Sequence, residues 1–270
     1  RLSSSSSFNN LLSNIIDNNG YGIDLIGNSA NNTLSGGMIN NSRSDAIYFG
    51  TDTIENNIFS NVSIMNTNNS RYDIYFAASG IDGNYFIDMP HIGNYSFTGT
   101  GGTVYFKDTK YGEIRFLQAI NGSGTNLSND VRILNNSVSV NSFGKPGLNR
   151  SANITLYNIG NRFNNPIILR DKKPCGNLCY NFTALNAANV TFNVSYWTSH
   201  EIGGGSIPYI ILNKPDNQSV FYIDIFNITL NATVYDLDND NLSLLIYGVN
   251  SSNTGNFYNY LLYKDTKGNG

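Results

Sequence analysis

The chain has 270 residues, a formal net charge of −3 and a pI of about 5.3, so its charge gives no indication of electrostatic binding to nucleic acid. The chain contains no run of 18 apolar residues, the length that could span a membrane. No secretory leader, in which charged residues precede an apolar stretch, comes before the serines at 3–7. We therefore expect a soluble chain with a large core, or a mature fragment without its leader and anchor.

A short phrase recurs along the first hundred residues, and its copies are Asn10-Leu11-Leu12, Asn32-Thr33-Leu34, Asn57-Ile58-Phe59 and Asn84-Tyr85-Phe86. An alternating run follows each copy, as Gly22-Ile23-Asp24-Leu25, Ala46-Ile47-Tyr48-Phe49, Asp73-Ile74-Tyr75-Phe76 and Thr103-Val104-Tyr105-Phe106. The phrase returns after about 22, 25 and 27 residues and the run after about 24, 27 and 30, which is the period of a solenoid. Each repeat is therefore predicted to form one coil of a solenoid.

The alternating run predicts short strands, because side chains two residues apart point to the same face. We expect one interior column of Ile23, Ile47, Ile74 and Val104, and one exterior column of Tyr48, Tyr75 and Tyr105. Asparagine supplies 46 of the 270 residues. It suits the corners between strands because it tolerates a left-handed backbone, and stacked asparagines can pair from coil to coil.

These repeats resemble the right-handed parallel β-helix repeats of the NosD-like and pectate-lyase-like superfamily, over residues 1–170. The resemblance lies in the repeat style and includes no catalytic motif. It implies an all-β fold that begins with a parallel β-helix solenoid.

The sequence contains eighteen N-x-S/T sequons, whereas about eight would arise by chance from its asparagine, serine and threonine content. The excess is steepest after residue 120, and it predicts a heavily N-glycosylated extracellular surface. The sequon asparagines are Asn31, Asn40, Asn61, Asn68, Asn94, Asn121, Asn126, Asn135, Asn149, Asn153, Asn181, Asn189, Asn193, Asn217, Asn227, Asn231, Asn241 and Asn250.

A second segment, 171–206, holds both cysteines, further β-strands and a Gly-rich linker. Cys175 and Cys179 flank a tight Gly-Asn-Leu loop, which predicts a disulfide at the exit of the solenoid. A lone C-x3-C is a weak metal signal, since zinc needs four ligands and both histidines, His91 and His200, are distant in sequence.

The last segment, 207–270, resembles the opening of an immunoglobulin-like or cadherin-like sandwich of microbial surface proteins. Its predicted strands begin near Ile207, Phe226 and Leu242, and only 64 residues are present where such a domain needs about 100. Asp236, Asp238 and Asp240 occupy positions 1, 3 and 5 of a turn, a spacing suited to calcium, and the alternative is a plain polar turn between two strands. No other cofactor is expected.

Catalytic chemistry has weaker support. The outward positions of the coil become tyrosines, whereas polysaccharide-acting β-helix enzymes need grouped carboxylates or a poised base. Tyrosines stacked in this way can bind sugars or simply stabilise a sheet face. His91 and His200 have no neighbouring acid in sequence that would make a triad, so no catalytic residue is predicted.

We expect uncapped strand edges at both ends of the fold, because the sequence begins within a repeat and ends within the predicted sandwich. Such edges predict head-to-tail β-strand contacts between copies of the chain. The sequence thus favours a secreted, N-glycosylated structural protein of a microbial cell surface, archaeal by its density of sequons, which forms a filament, sheath or adhesin. Its expected partners are copies of itself, N-glycans and surface polysaccharide. The alternatives are a polysaccharide lyase or hydrolase and a monomeric carbohydrate-binding adhesin.

Overall fold

The computed structural model describes Leu2, residues 5–204, and the backbone of residues 209–213, 231–235, 244–251 and 257–265. The chain divides into two compact units, Arg1–Arg162 with Ile167–Gly203 and Phe163–Pro166 with Gly204–Gly270. It is nearly all β-structure and contains a β-solenoid of about four turns, which confirms the predicted fold class.

The solenoid consists of short strands separated by corners. The strands are β1 (Asn10–Leu12), β2 (Ile15–Asp17), β3 (Ile23–Leu25), β4 (Thr33–Ser35), β5 (Met38–Asn40), β6 (Ile47–Phe49), β7 (Ile54–Glu55), β8 (Ile58–Ser60), β9 (Ser63–Met65), β10 (Ile74–Phe76), β11 (Ile81–Asp82), β12 (Asn84–Ile87), β13 (Tyr95–Gly102) and β14 (Val104–Asp108).

Parallel pairing stacks equivalent strands of successive coils into separate faces. One face contains β1, β4, β8, β12 and β14, and a second contains β3, β6, β10 and β13. A third face contains β2, β5 and β9, while β7 and β11 pair with each other. Each coil therefore encloses a core lined from several sides.

The predicted interior column is confirmed for its first three members, because Ile23 pairs with Ile47 and Ile47 with Ile74, all of them buried. Val104 is wrong as the fourth member, since Ile74 pairs with Tyr95 instead. The segment from Tyr95 to Phe97 is buried throughout and begins only 21 residues after Ile74, so β13 takes this place. Val104 pairs with Asn84 on another face, and Tyr105 accordingly leaves the predicted tyrosine column.

Asparagines form a buried ladder at the corner that precedes the first face. The Nδ2 of Asn9 donates to Oδ1 of Asn32 (2.8 Å), Asn32 to Asn57 (2.9 Å) and Asn57 to Asn84 (3.0 Å). The coil-to-coil pairing predicted for asparagine is confirmed. Its first member is Asn9, whereas Asn10 of the repeated phrase pairs with Thr33 inside the sheet. A shift of one residue reverses which side chains face the core.

Aromatic rings fill the core beside this asparagine ladder. Phe49 and Phe76 have ring centroids 4.5 Å apart, and Phe59 stacks on Phe86 at 5.4 Å. Phe49 also meets Phe59 edge-on across the core at 5.6 Å. Such rings provide both large apolar burial and specific ring–ring geometry, and they hold the faces of the solenoid together.

Corners with a left-handed backbone are mostly asparagine, as the sequence predicts. Of 17 non-glycine residues with positive φ in the described part, ten are asparagine. Asn31 and Asn61 are two examples, with φ of 56° and 52°. The short polar side chain tolerates this conformation better than a β-branched one, so the chain can turn after strands of only three residues.

Parallel pairing ends at β14, before the boundary at residue 170 that the sequence predicts. The Oδ1 of Asp108 accepts hydrogen bonds from the backbone N–H groups of Lys110 (2.8 Å) and Tyr111 (3.0 Å), which reverses the chain into an antiparallel hairpin. The later elements are β15 (Gly112–Phe116), β16 (Ile120–Gly124), α1 (Leu127–Asp130), β17 (Val131–Leu134), β18 (Ser137–Val140), β19 (Ala152–Leu156), β20 (Pro166–Arg170), β21 (Lys173–Pro174), β22 (Cys179–Asn181), β23 (Val190–Val194) and β24 (Ser199–Gly204), with 3-10 turns at Pro146–Leu148 and Gly176–Leu178.

The antiparallel strands extend the first face of the solenoid into one nine-stranded sheet, in which β15, β19, β23 and β22 follow β14. Its buried row runs without interruption through Phe106, Ile114, Ile154 and Phe192. A second, five-stranded sheet has the order β17, β18, β24, β20 and β21. Most of the expected separate segment 171–206 therefore belongs to the first unit, which ends at Gly203 in the predicted linker.

Two antiparallel hairpins are described in the second unit. β25 (Tyr209–Asn213) pairs with β26 (Asn231–Tyr235), and β27 (Leu244–Ser251) pairs with β28 (Phe257–Asp265). Strands thus form near each of the three predicted positions, while the immunoglobulin-like sandwich stays a prediction. Within the described ranges, no helix is long and apolar enough to cross a membrane.

Replacing Asn57 by Ala should cost about 3 kcal/mol of unfolding free energy, since the ladder loses a member that is bonded on both sides. Asn57 donates to the Ser29 carbonyl and to Asn84, and it accepts from both nitrogens of Asn32. Denaturant unfolding followed by fluorescence of Trp197, the one tryptophan of the chain, measures this loss. The exposed Asn69→Ala control should change stability by less than about 0.5 kcal/mol, and equal effects of both variants would contradict the role of the ladder.

Candidate functional site

Thirteen of the eighteen sequon asparagines lie between residues 31 and 193 of the first unit, and none of these thirteen is buried. The three fully buried asparagines, Asn32, Asn57 and Asn84, all belong to the asparagine ladder and stand outside sequons. Two more sequon asparagines, Asn231 and Asn250, lie on β26 and β27, and the remaining three, Asn217, Asn227 and Asn241, fall outside the described residues.

The sequons differ in whether the side-chain nitrogen that would carry a glycan is already used. It donates a hydrogen bond in Asn40, Asn68, Asn94, Asn181 and Asn193. In the described part of the chain, no hydrogen bond uses the side chains of four exposed sequon asparagines, namely Asn31, Asn61, Asn121 and Asn189. Four others serve as side-chain acceptors only, namely Asn126, Asn135, Asn149 and Asn153.

Asn189 and Asn193, which the sequence places as a pair on one strand face, have different surroundings. Asn193 lies in β23 directly opposite Asn153 of β19, and its Nδ2 donates to Oδ1 of Asn153 and to the Ala152 carbonyl, each at 3.1 Å. Asn189 precedes β23 and is exposed. Asn189 is therefore the accessible member of the pair.

Four tyrosines form a continuous strip on the outer side of the second face, which we call the tyrosine ladder: Tyr21, Tyr48, Tyr72 and Tyr75. Ring centroids lie 4.7 Å apart for Tyr21 and Tyr48, 5.7 Å for Tyr48 and Tyr75, and 5.2 Å for Tyr72 and Tyr75. Partial burial raises the pKa of Tyr48, and the adjoining tyrosines act in the same direction. Tyr48, which contacts both Tyr21 and Tyr75, is therefore uncharged at neutral pH.

Tyr105 lies elsewhere, on the outer side of the nine-stranded sheet. Its ring is 4.4 Å from that of Tyr85, and the Arg115 guanidinium sits 4.6 Å from its centroid. The predicted column therefore divides into two aromatic surfaces, and sequence reasoning missed Tyr21, Tyr72, Tyr85 and Arg115 as their other members. Their spacing in sequence is irregular because Tyr21 and Tyr72 come from corners, Tyr85 from β12 and Arg115 from the first antiparallel strand.

The predicted disulfide between Cys175 and Cys179 is confirmed, with the Cα atoms 5.8 Å apart. His200 of β24 lies beside it, so that one imidazole nitrogen and both sulfur atoms are all within 4.8 Å of one another. We call Cys175, Cys179 and His200 the cysteine–histidine cluster. The sequence offered no signal for this contact, because it depends on how the β22 and β23 strands pair before the chain returns along β24.

His200 is 1% exposed, and neither of its ring nitrogens has a hydrogen-bond partner. Its ring packs edge-on against Trp197 at 5.7 Å. Burial lowers the pKa of His200 to about 4, the nearby Arg170 acts in the same direction, and Asp171 opposes them. The imidazole is therefore neutral at physiological pH, with its lone pair available.

The other candidate groups have structural surroundings or lie outside the described residues. Two buried carboxylates of the first unit are bonded within the fold: Asp45 accepts from the Tyr72 backbone N–H, and Asp130 accepts from the Tyr95 hydroxyl. His91 is exposed. The predicted calcium-binding residues fall outside the described part of the chain, so this site stays a prediction: Asp236, Asp238 and Asp240.

Acid should destabilise the disulfide-bonded protein through His200. An unfolded chain binds this proton near pH 6.5 and the folded chain near pH 4, so the stability present above pH 6.5 is lost as the pH falls between these values. Between pH 7 and pH 4.5 the loss due to His200 should be about 2.5 kcal/mol. Urea unfolding followed by circular dichroism should show that His200→Leu removes this part of the pH dependence and that His91→Leu retains it. An unchanged pH dependence in His200→Leu would disprove the assignment.

Comparison with known proteins assigns no family to the chain. No protein-family model, no curated protein and no solved structure matches it. Its function has to be inferred from its own residues, namely the sequon surface, the tyrosine ladder and the cysteine–histidine cluster.

Proposed function

We propose that the chain is a secreted, N-glycosylated structural protein of a microbial cell surface, archaeal by its density of sequons, and that it serves as a subunit of an extracellular filament, sheath or adhesin. The solenoid would act as a rigid spacer, because its strands and core repeat from coil to coil. The second unit would add the immunoglobulin-like surface domain that the sequence predicts.

The observation that carries this proposal is the number of sequons at accessible positions. About eight sequons are expected by chance, and the sequence has more than twice that number. Each of the thirteen sequon asparagines in the first unit is at least partly exposed. The asparagines that the fold needs inside are Asn32, Asn57 and Asn84, which lack the sequon. The two roles of asparagine, structural and glycan-bearing, thus fall on different residues.

The disulfide supports the same compartment. Disulfides persist in oxidising surroundings such as the cell exterior, and Cys175–Cys179 is formed in this fold. Both cysteines of the chain are used in it, so the described unit has no spare thiol.

Assembly through strand edges is supported by β22, the last strand of the nine-stranded sheet. Within the described residues β22 pairs only with β23, which leaves its other edge open. Tyr180 and Phe182 beside this edge are 67% and 54% exposed, and their rings meet at 5.3 Å. An open edge with exposed aromatic rings suits addition of a strand from another copy of the chain.

Peptide mass spectrometry of natively produced protein should find glycans at Asn61 and Asn189 and none at Asn193. The nitrogen of Asn193 is held by two hydrogen bonds, whereas those of Asn61 and Asn189 are not engaged in the described fold. Intact mass should exceed the sequence mass of 29.7 kDa by several glycans. Asn61→Gln should remove one glycan mass, and the matched Asn193→Gln should remove none. An unmodified native mass would refute the proposed glycoprotein.

Polymerisation should depend on the β22 edge. Tyr180→Lys places a charge where a neighbouring strand would pack, so we expect the concentration needed for polymer to rise at least about tenfold. Sedimentation velocity and electron microscopy measure this change. Phe143→Lys is the matched control, because Phe143 is fully exposed and lies in the loop after β18. Polymer that forms equally well in both variants would exclude this edge, and a wild-type protein that is monomeric at all concentrations would exclude the filament.

A monomeric carbohydrate-binding adhesin is the second candidate, favoured by the tyrosine ladder. Rings at 4.7–5.7 Å spacing, tilted against one another by 37° to 59°, form an aromatic strip along which a polysaccharide could lie. This candidate gains support if the protein is monomeric and Tyr48→Ala weakens its binding to surface polysaccharide. A polysaccharide lyase or hydrolase is the third candidate, and it would require carboxylates other than Asp45 and Asp130, which are committed to the fold.

A further inference from the structure

The cysteine–histidine cluster contains the groups for a second role besides that of a structural cross-link. It unites both cysteines and one of the two histidines of the chain at one place in the first unit. Cys175 ends the β20–β21 hairpin, Cys179 begins β22, and His200 lies in the middle of the five-stranded sheet. Two sulfur atoms and an imidazole nitrogen are the donor set that zinc prefers in proteins.

The unpaired state of His200 is the observation that points to a ligand. A polar group buried without a hydrogen bond destabilises a fold, and His200 keeps both of its nitrogens in this state at 1% exposure. The packing against Trp197 accounts for an aromatic ring at position 200. It does not account for an imidazole nitrogen near the two sulfur atoms. An imidazole that lacks a protein partner and lies near two sulfur atoms fits a metal ligand.

We infer that reduction of the Cys175–Cys179 disulfide converts the cysteine–histidine cluster into a zinc site, with Cys175, Cys179 and His200 as ligands and solvent in the fourth position. The site would keep the β22 loop cross-linked when the disulfide is broken. This inference goes beyond the proposed extracellular role, in which the disulfide is the resting form.

The geometry requires only a small adjustment. Zn–S bonds of about 2.3 Å in a tetrahedral site place two sulfurs about 3.7 Å apart, and the nitrogen slightly nearer. The three ligand atoms already lie within 4.8 Å of one another, so shifts of about 1 Å complete the site. Cys175 is buried and Cys179 half-buried, while the intervening turn Gly176–Leu178 is exposed and gives the ion a short path from solvent.

The chemistry balances with a thiol reductant. Two molecules of a low-molecular-weight thiol supply two electrons and two protons, the S–S bond of the protein breaks, and a new disulfide forms between the two reductant molecules. Binding of Zn²⁺ then releases the two thiol protons, and the neutral His200 donates its lone pair without losing a proton. Two thiolates offset the charge of the ion, which matters beside the Arg170 guanidinium.

Cobalt(II) titration of the full chain, reduced with a phosphine under anaerobic conditions, tests the inference. We expect one cobalt per chain, with the thiolate charge-transfer and d–d absorption of a tetrahedral site, and displacement of cobalt by zinc. The disulfide-bonded protein and the Cys175→Ser/Cys179→Ser variant should show no such absorption. His200→Phe keeps an aromatic ring against Trp197 and should weaken binding by about 100-fold or more, whereas the exposed His91→Gln control should bind like wild type.

Two results would overturn the inference: binding by His200→Phe as tight as that of wild type, or no cobalt absorption from reduced wild-type protein that circular dichroism shows to be folded. If reduction unfolds the first unit, zinc must restore its native circular dichroism, and failure to do so would also overturn it. Glycan mapping depends on Asn61, Asn189 and Asn193 alone, so failure of the metal site leaves the test of the proposed function unaffected.

Discussion

The pairing of buried asparagine amides from coil to coil is the constraint on which the rest of the solenoid depends. The first three amides of the ladder each donate to the next coil, and all four also reach a backbone carbonyl, as Asn32 does at Ser6 and Asn57 at Ser29. Such amides are satisfied only when successive coils hold one register. The same register then stacks isoleucine on isoleucine and phenylalanine on phenylalanine in the core. A polar contact thus selects the alignment, and apolar burial supplies most of the stability.

The change from parallel to antiparallel pairing after β14 determines which residues lie together on the surface of the first unit. The core row from Phe106 to Phe192 continues across the change, so one sheet of nine strands has a single outer side. That side carries the Tyr85–Tyr105–Arg115 cluster, the paired sequons Asn153 and Asn193, and the open edge at β22. The tyrosine ladder occupies a different face, where the coils remain parallel. Sequons, aromatic rings and a strand edge therefore share the outer side of the nine-stranded sheet, apart from the tyrosine ladder.

The cysteine–histidine cluster shows how two chemistries can share one set of atoms. An oxidising exterior favours the disulfide, whose cysteines then have no ligand capacity. A neutral, unpaired imidazole is retained beside it at an energetic cost that the disulfide alone does not explain. A redox-dependent change of cross-link accounts for all three residues. It also links the local environment of the protein to the integrity of its β22 edge, through which we propose that copies assemble.

Local sequence determined the features that depend on neighbours along the chain. Alternation in Ile47-Tyr48-Phe49 defines which side chains face inward, asparagine sets the left-handed corners, and the short loop between Cys175 and Cys179 permits the disulfide. Tertiary structure alone decided the features that depend on which strands become neighbours. It placed Tyr95 rather than Val104 on Ile74, started the ladder at Asn9 and brought His200 to the two sulfurs. These contacts join residues about 20 or more apart, and a coil whose length varies by several residues leaves their alignment open until backbone hydrogen bonds and core packing select it.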